Sequence, residues 1–512
     1  MISNIKTISL NGIDGNLVEV QTDIAGGLPN VEIVGLPDTS VRESKERIRT
    51  AIKNSEIEFP SRKIVINLAP ASTKKEGTSY DLPIAVGILQ SLGEIIANSL
   101  ENTIFLGELS LDGKINRING VLPMCIEAMN LGIKKVILPK ANEREAAIIE
   151  DLEVIGVKNL KEVVRYLNKE IDIKPIKIDI IKEFNKKDKQ DLDFCEVKGQ
   201  ENAKRALEIA AAGGHNCLLI GTPGSGKTML AKRIPTILPE LTFEEALEVT
   251  KIHSIAGMLD SNIGIVTKRP FRSPHHTISP TSIIGGGKIP KPGEISLAHN
   301  GVLFLDELPE FNRGTLEVLR GPLEDRIVTI SRLYSKVIYP SNFMLIASMN
   351  PCPCGYYGST EKECKCSTVA IEKYLNKISG PLLDRIDLHV EVKPVKYQKL
   401  NSENKIESSQ QIKERVNKAR RIQFLRYKDL NIFSNSELTP RMIEKYCKLD
   451  KESKQILEIA FNKLGLSARA YTRILKVART IADLDNKNNI EKNHLLEAIQ
   501  YRSLDRKYGD KF

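Results

Sequence analysis

The chain has no apolar run long enough to cross a bilayer, and its first residues, Met1-Ile2-Ser3-Asn4-Ile5-Lys6, lack the basic start and apolar stretch of a secretory leader. A cytoplasmic protein is expected, with no membrane partner. Residues 1–395 lack a net charge worth the name, with 49 lysines and arginines against 50 acids. The basic excess is confined to residues 396–512, with 26 against 15. That placement suggests a surface for nucleic acid or another polyanion, or else the solvated faces of helices. Eight cysteines in a reducing compartment do not make a disulfide framework. Cys125, Cys195, Cys217 and Cys447 stand singly and are expected to be core or incidental, whereas Cys352, Cys354, Cys364 and Cys366 cluster.

What the chain does contain is ordinary globular material, 41% hydrophobic and 27% charged. Within it, Gly221-Thr222-Pro223-Gly224-Ser225-Gly226-Lys227-Thr228 fits G-x-x-x-x-G-K-[ST] and follows the apolar run Cys217-Leu218-Leu219-Ile220. Strand, glycine-rich loop and helix start are the context in which backbone N–H groups cradle phosphates. Lys227 would reach the outer phosphates of ATP and the Thr228 hydroxyl would ligate Mg2+. Further on, Gly301-Val302-Leu303-Phe304-Leu305-Asp306-Glu307 is an apolar strand ending in two acids. Ligands bind at the C-terminal ends of parallel strands, so Asp306 would hold the magnesium and Glu307 would polarise the attacking water. A third strand, Phe343 to Met349, delivers Asn350 to the same edge.

Residues 1–168 alternate short β-branched runs with helical segments: strands at 17–20, 31–34, 64–68 and 135–138, a helix capped by the stretch 38–40 and running to Ile52, and another capped by Asp81. The stretch Lys75-Glu76-Gly77-Thr78-Ser79-Tyr80-Asp81-Leu82-Pro83, with Leu106-Gly107-Glu108-Leu109 through Pro139, resembles the proteolytic domain of the Lon family. In that family a lysine activates a serine nucleophile. Ser79 stands at the nucleophile position, but Leu122 stands at the lysine position, so the resemblance implies a domain inactive as a peptidase and used for docking or assembly. Residues 169–193, with seven lysines and seven acids, are expected to be a solvated linker.

The phosphate loop, the acidic strand, Asn350, the turn Gly380-Pro381-Leu382-Leu383-Asp384-Arg385-Ile386-Asp387 and the helix opened by Ser467-Ala468-Arg469-Ala470-Tyr471-Thr472-Arg473 occur in the order seen in AAA+ ATPases. The resemblance implies an AAA+ core (194–395) with a helical lid (396–512), Asn350 as first sensor, Arg385 as an arginine finger serving a neighbouring subunit, and Arg469 as second sensor. It also implies a ring, a homo-hexamer. Arg473 stays open between function and ordinary helix charge. The stretches 271–277, 285–287 and 292–300 are similar to the magnesium-chelatase branch, and the whole chain resembles the YifB/ComM family. In these terms the fold is α/β: a Lon-protease-like (ribosomal S5-like) domain followed by the AAA+ core and its lid.

Such proteins carry a pore-facing hairpin, here Ser282 to Pro290 with Lys288. His275 and His276 are expected to be structural hydrogen-bonding groups. The C-x-C-x₉-C-x-C cluster, in an insert spanning 350–367, suits a structural zinc ion and a projection that holds DNA. Five helices with three-and-four apolar spacing fill the last hundred residues, and Lys413, Arg415, Lys418, Arg420, Arg421 and Arg426 could line a nucleic-acid path. The function implied is an ATP-driven motor acting on single-stranded or branched DNA, by helicase action or branch migration in recombination or natural transformation. The alternative is a chelatase-type protein remodeller or metal-insertion motor subunit.

Overall fold

The computed structural model describes residues 2–96, 100–184, 192–287, 290–332, 335–359, 362–395, 406–430 and 432–502. Its first half is built on a seven-stranded mixed sheet in the order Asn30–Val34, Lys63–Ala69, Asp14–Ala25, Ser3–Asn11, Thr103–Phe105, Lys135–Pro139, Glu153–Val157. The strands expected from sequence all lie in it. The long central pairing of Ser3–Asn11 with Asp14–Ala25 is antiparallel, and the last three strands in that order run parallel to Ser3–Asn11.

Asp38 caps the helix Thr39–Asn54 by accepting from the Val41 N–H at 2.8 Å. Asp81 does not cap its helix, as the sequence reading had it. It lies inside the first turn of Asp81–Leu92, where Arg47 donates to both its oxygens and the Leu109 N–H donates to one. The segment after 168 also differs from a solvated linker: Ile176, Ile180 and Phe184 pack on the hydrophobic core of this half.

The second half carries a five-stranded, wholly parallel sheet in the order Phe271–Arg272, Val302–Leu305, Met344–Met349, Cys217–Gly221, Leu388–Val392. Its central strands are buried on both faces, which is why they read as continuous apolar runs. The C-terminal helices are Ser409–Tyr427, Pro440–Tyr446, Lys451–Leu464, Ala468–Leu484 and Lys492–Gln500, close to the periodicity-based expectation. One hydrophobic core joins them to Glu201–Gly213 and to the sheet, through Ile412, Val416, Ile474, Val477 and Ile481.

Two antiparallel hairpins accompany this sheet, and the second shares its hydrophobic core through Val328, Ile330, Val337 and Tyr339. One pairs Gly285–Gly286 with Lys291–Pro292; the other pairs Ile327–Arg332 with Ser335–Pro340. Residues 282–284 are helical, which corrects the loop expected from Ser282, and Lys288 lies outside the described residues. The hairpins touch: the Tyr339 hydroxyl donates to the Pro290 carbonyl at 2.9 Å.

The two halves meet at the helix Val121–Asn130, where the Lon-like lysine position is filled by fully buried Leu122. Glu145, 4% exposed, accepts from the Leu122 N–H at 2.9 Å, from the Asn142 side chain and, across the interface, from the Ser254 hydroxyl. Burial pushes its carboxyl up, against these donors. Arg117 reaches the Leu259 carbonyl and Gly120 N–H the Ser254 carbonyl. Glu145→Ala is expected to cost about 2 to 4 kcal/mol, because it strands buried donors on both sides of the junction. Urea unfolding followed by circular dichroism checks this, the chain having no tryptophan. Unchanged midpoints would show that the carboxylate does not hold the halves together.

Candidate functional site

The strand Cys217–Gly221 ends beneath the neighbouring strand so closely that a Cβ on Gly221 would stand 2.3 Å from the Val392 carbonyl oxygen. The chain then turns through Gly224 and Gly226, both at positive φ (77° and 92°), and enters the helix Lys227–Ile237. Pro223 and Ser225 lie between, and Thr222 and Ser225 are buried.

Lys227 is 9% exposed, and its ammonium donates to the Gly221 carbonyl (2.8 Å), the Thr222 carbonyl (2.9 Å) and the Asn350 side-chain oxygen (3.2 Å). Burial lowers its pKa, while Asp306 and Glu307 raise it. Its positive charge is therefore held on neutral oxygens that a phosphate would outcompete.

The Thr228 hydroxyl donates to Asp306 Oδ2 at 2.8 Å, and the Ser348 hydroxyl donates to Asp306 Oδ1. A divalent cation at this pair would find one hydroxyl and one carboxylate already adjacent. Glu307 follows with φ 55° and a 57% exposed side chain, and the His276 ring stands 3.8 Å from its carboxylate. His275 bonds Thr277 at 2.9 Å, in keeping with a structural role.

Three participants escaped the sequence reading. Ser348 looks like strand packing, yet it falls two residues before Asn350 and so faces the same way, which was the available signal. Gln200, itself at φ 64°, donates to the Ser225 carbonyl (2.9 Å) and the Lys393 carbonyl (2.5 Å), tying the loop to the far strand. Glu324 carries no signal in the sequence.

Arg385 and Arg469 are brought together elsewhere. Arg385, 5% exposed, binds Glu324 at 2.6 Å and the Pro381 carbonyl at 2.7 Å, and Arg469 lies 3.9 Å from the same carboxylate. The Arg385 side-chain bond, then its charge, holds Glu324 below the usual carboxylate range. Arg473 instead pairs with buried Asp387, an ion pair of the core.

The sulfurs of Cys352, Cys354, Cys364 and Cys366 all lie within 4.8 Å of one another and could hold a metal ion. Measured separations of 3.4, 3.7 and 3.6 Å match the edge of about 3.8 Å that a tetrahedral ion imposes on sulfurs bound at about 2.3 Å. The Tyr356 N–H, chiefly, pulls the Cys354 thiol down to about 6, whereas burial and then Cys354 push Cys352 up. Four crowded thiols ionise together only around a cation.

On the lid, Lys413 binds Glu240, Arg415 binds Glu208 and Glu407, Arg420 donates to the Phe433 and Ala211 carbonyls, and Arg426 binds Asp483. That corrects the expected basic path: of the six, Lys418 and Arg421 are the exposed ones.

A phosphate loop between strands ordered with the acidic strand two places away, and a polar sensor on the strand between, defines an α/β AAA+ module. Family models agree: "Magnesium chelatase, subunit ChlI" matches residues 193–400, "Subunit ChlI of Mg-chelatase" 20–142, and the "subunit ChlI C-terminal" model 406–502. Competence protein ComM of Haemophilus influenzae is 44% identical over 496 residues, 96% of each chain. YifB of Escherichia coli K12 is 44% identical over 508 residues, 99% of this chain and 98% of its own. Lon protease 2 of Bacillus subtilis is 29% identical over 189 residues, about a third of each chain. The chain belongs to the YifB/ComM family, magnesium-chelatase-like AAA+ proteins with a Lon-like N-terminal domain.

That family suggests ATP, Mg2+ and ATPase activity. Ser348→Ala, which removes one of the two donors to Asp306 Oδ1 and leaves the Glu307 N–H, is then expected to lower ATP turnover about ten-fold and to raise the Mg2+ needed for half-maximal rate, as loss of a partner behind a metal ligand does. Steady-state rates across a Mg2+ titration check it, and an unchanged titration curve would remove Ser348 from the site.

Proposed function

We propose that the chain is a cytoplasmic ATP-hydrolysing motor that works on DNA as a ring of identical subunits, in recombination or in the uptake of DNA during transformation. The observation that carries the ring is the separation of two groups of residues. Lys227, Thr228, Asp306 and Asn350 converge on the phosphate loop at the C-terminal end of Cys217–Gly221, while Arg385, whose carbonyl accepts from Asn216 at the other end of that strand, shares Glu324 with Arg469. Each nucleotide would be completed by the arginines of the next subunit.

In this reading Lys227 leaves its carbonyls for the outer phosphates, and Thr228 and Asp306 hold the magnesium, which would neutralise charge on the phosphates. Glu307 orients the attacking water and takes its proton. Asn350 keeps Lys227 and the water side of the site in register. Arg385 and Arg469 stabilise charge developing on the transferred phosphoryl group.

DNA as substrate is supported by the competence name of the Haemophilus relative, by the two hairpins, and by exposed Lys418 and Arg421. Branch migration or helicase action is the form the family resemblance implies. The chelatase family descriptions favour a second reading, a protein remodeller driven by the same site. The four cysteines hold zinc in this proposal, on the strength of their sulfur geometry.

Arg385→Ala is expected to leave ATP binding intact and to lower turnover by about 10³-fold or more, the scale of a lost arginine finger. Mixing it with Lys227→Ala subunits should restore part of the activity, since sites pairing an intact loop with an intact arginine reappear. No recovery on mixing would place Arg385 in its own subunit's site or in none.

DNA is tested by ATPase rates with single-stranded, forked and four-way-junction DNA and with none, at stated salt and with Glu307→Gln as control. Stimulation by branched DNA is expected. Flat rates with no DNA binding at low salt would favour the remodeller.

A further inference from the structure

The cysteine cluster begins two residues after Asn350, at the end of the central strand Met344–Met349. Asn350 accepts from Lys227, so the same few residues that carry the first two sulfurs also hold the phosphate-loop lysine. Cys352 is fully buried, and its sulfur accepts from the Tyr357 N–H at 3.3 Å. The turn closes when the Gly355 N–H donates to the Cys352 carbonyl at 3.0 Å.

Gly355 (φ 84°) then lies flat on the phosphate loop: a Cβ built there would stand 2.4 Å from Pro223 Cδ and 2.6 Å from Cγ. The insert is therefore not a projection away from the motor, as the sequence reading placed it. Its first turn packs on the third residue of the loop that binds nucleotide. The other two sulfurs, Cys364 and Cys366, come from the far end of the insert, so the geometry of this turn depends on whether all four are gathered.

We propose that the cysteine site is a metal-set brace for the phosphate loop. A zinc ion on the four thiolates holds Gly355 against Pro223 and Asn350 against Lys227, so that metal and nucleotide bind with positive coupling. This rests on the zinc and nucleotide readings above. Without the ion, the sulfurs take up protons, nothing gathers them, and the insert regains the freedom that closing its loop removed. The turn then withdraws from Pro223, and the loop loses the wall that keeps its N–H groups aimed at phosphate. Coupling of this kind is reciprocal: whatever factor zinc adds to nucleotide affinity, nucleotide must add to zinc affinity.

The test uses the full chain loaded with one zinc, and the same protein stripped by a chelator. ADP affinity, read by calorimetry without any hydrolysis, is expected to weaken by about 5- to 150-fold on stripping, the usual range of coupling between sites. On the loaded protein alone, saturating ADP should tighten zinc against a chromogenic chelator by the same factor, so this arm holds even if the stripped protein unfolds.

Gly355→Ala should weaken ADP, because its Cβ crowds Pro223; as the residue holds φ 84° and its N–H faces Cys352, the zinc content of this variant is measured beside its ADP affinity. In Pro223→Ala, which trims the contact, the effect of ADP on zinc retention should fall toward none. Zinc present but equally retained with and without ADP overturns the brace and leaves the zinc site standing. Less than half an equivalent of zinc, with none taken up on addition, ends both readings.

Discussion

The hydrogen bond from Thr228 to Asp306 spans 78 residues of sequence and 2.8 Å of space, and most of the second half of the molecule is arranged so that it can form. It requires the phosphate-loop strand and the acidic strand to end at the same sheet edge with the Asn350 strand between them. Parallel pairing supplies that edge, since it puts every C-terminal strand end on one side. The cost is a sheet buried on both faces, which needs helices on each side, and the C-terminal helices share the resulting core through Ile474, Val477 and Ile481. A lid that shares a core with the sheet feels what happens at the sheet's edge. In the proposed motor, that shared core is the route by which a nucleotide would alter the lid.

The junction between the halves is built around the buried Leu122 and Glu145. A Lon-type serine needs its lysine, and a leucine at that position leaves Ser79 without one. Leu122 is fully buried, and the helix that carries it faces the motor instead of a substrate. Its backbone N–H is met by Glu145, which also accepts from Asn142 of the same half and from Ser254 of the motor. A buried carboxylate is costly unless its lone pairs are taken, and here donors from both halves take them. Parting the halves would remove the Ser254 donor and leave Leu122 and Asn142 in place.

How much of this was legible in the sequence depended on how local the demand was. The phosphate loop was readable because its chemistry fixes residue types within eight positions. The C-terminal helices were readable because amphipathic spacing repeats over many turns. The hairpin 327–340 left a period-two signal, with Val328, Ile330, Val337 and Tyr339 buried and Ile338 exposed between them, yet it sits between stronger motifs and was missed. Lys413, Arg415, Arg420 and Arg426 show why charge counts mislead: their partners come from other elements, and composition cannot say which cations are already neutralised. The packing of Gly355 on Pro223 joins residues 132 apart through shape alone. Glu324 belongs to the same class, an acid on a short helix with nothing about it to suggest two arginines.

Glu324 also bears on why a lone subunit should be a poor enzyme. Arg385 is nearly inaccessible and held by a carboxylate at 2.6 Å, while Arg469 is half exposed and reaches the same group at 3.9 Å. One acid thus sets the resting position of both cations, and its own ionisation is favoured by them. A triphosphate on an adjoining subunit carries more negative charge than one carboxylate and spreads it over several oxygens, so it can draw both guanidiniums away. Because Glu324 is itself about half exposed, water takes its place beside it and the exchange does not strand a buried charge. In the proposed ring, the carboxylate that holds Arg385 in isolation also keeps Arg469 near it, so that a neighbour's nucleotide would meet both cations on one face, with the ordering entropy of Arg385 already spent.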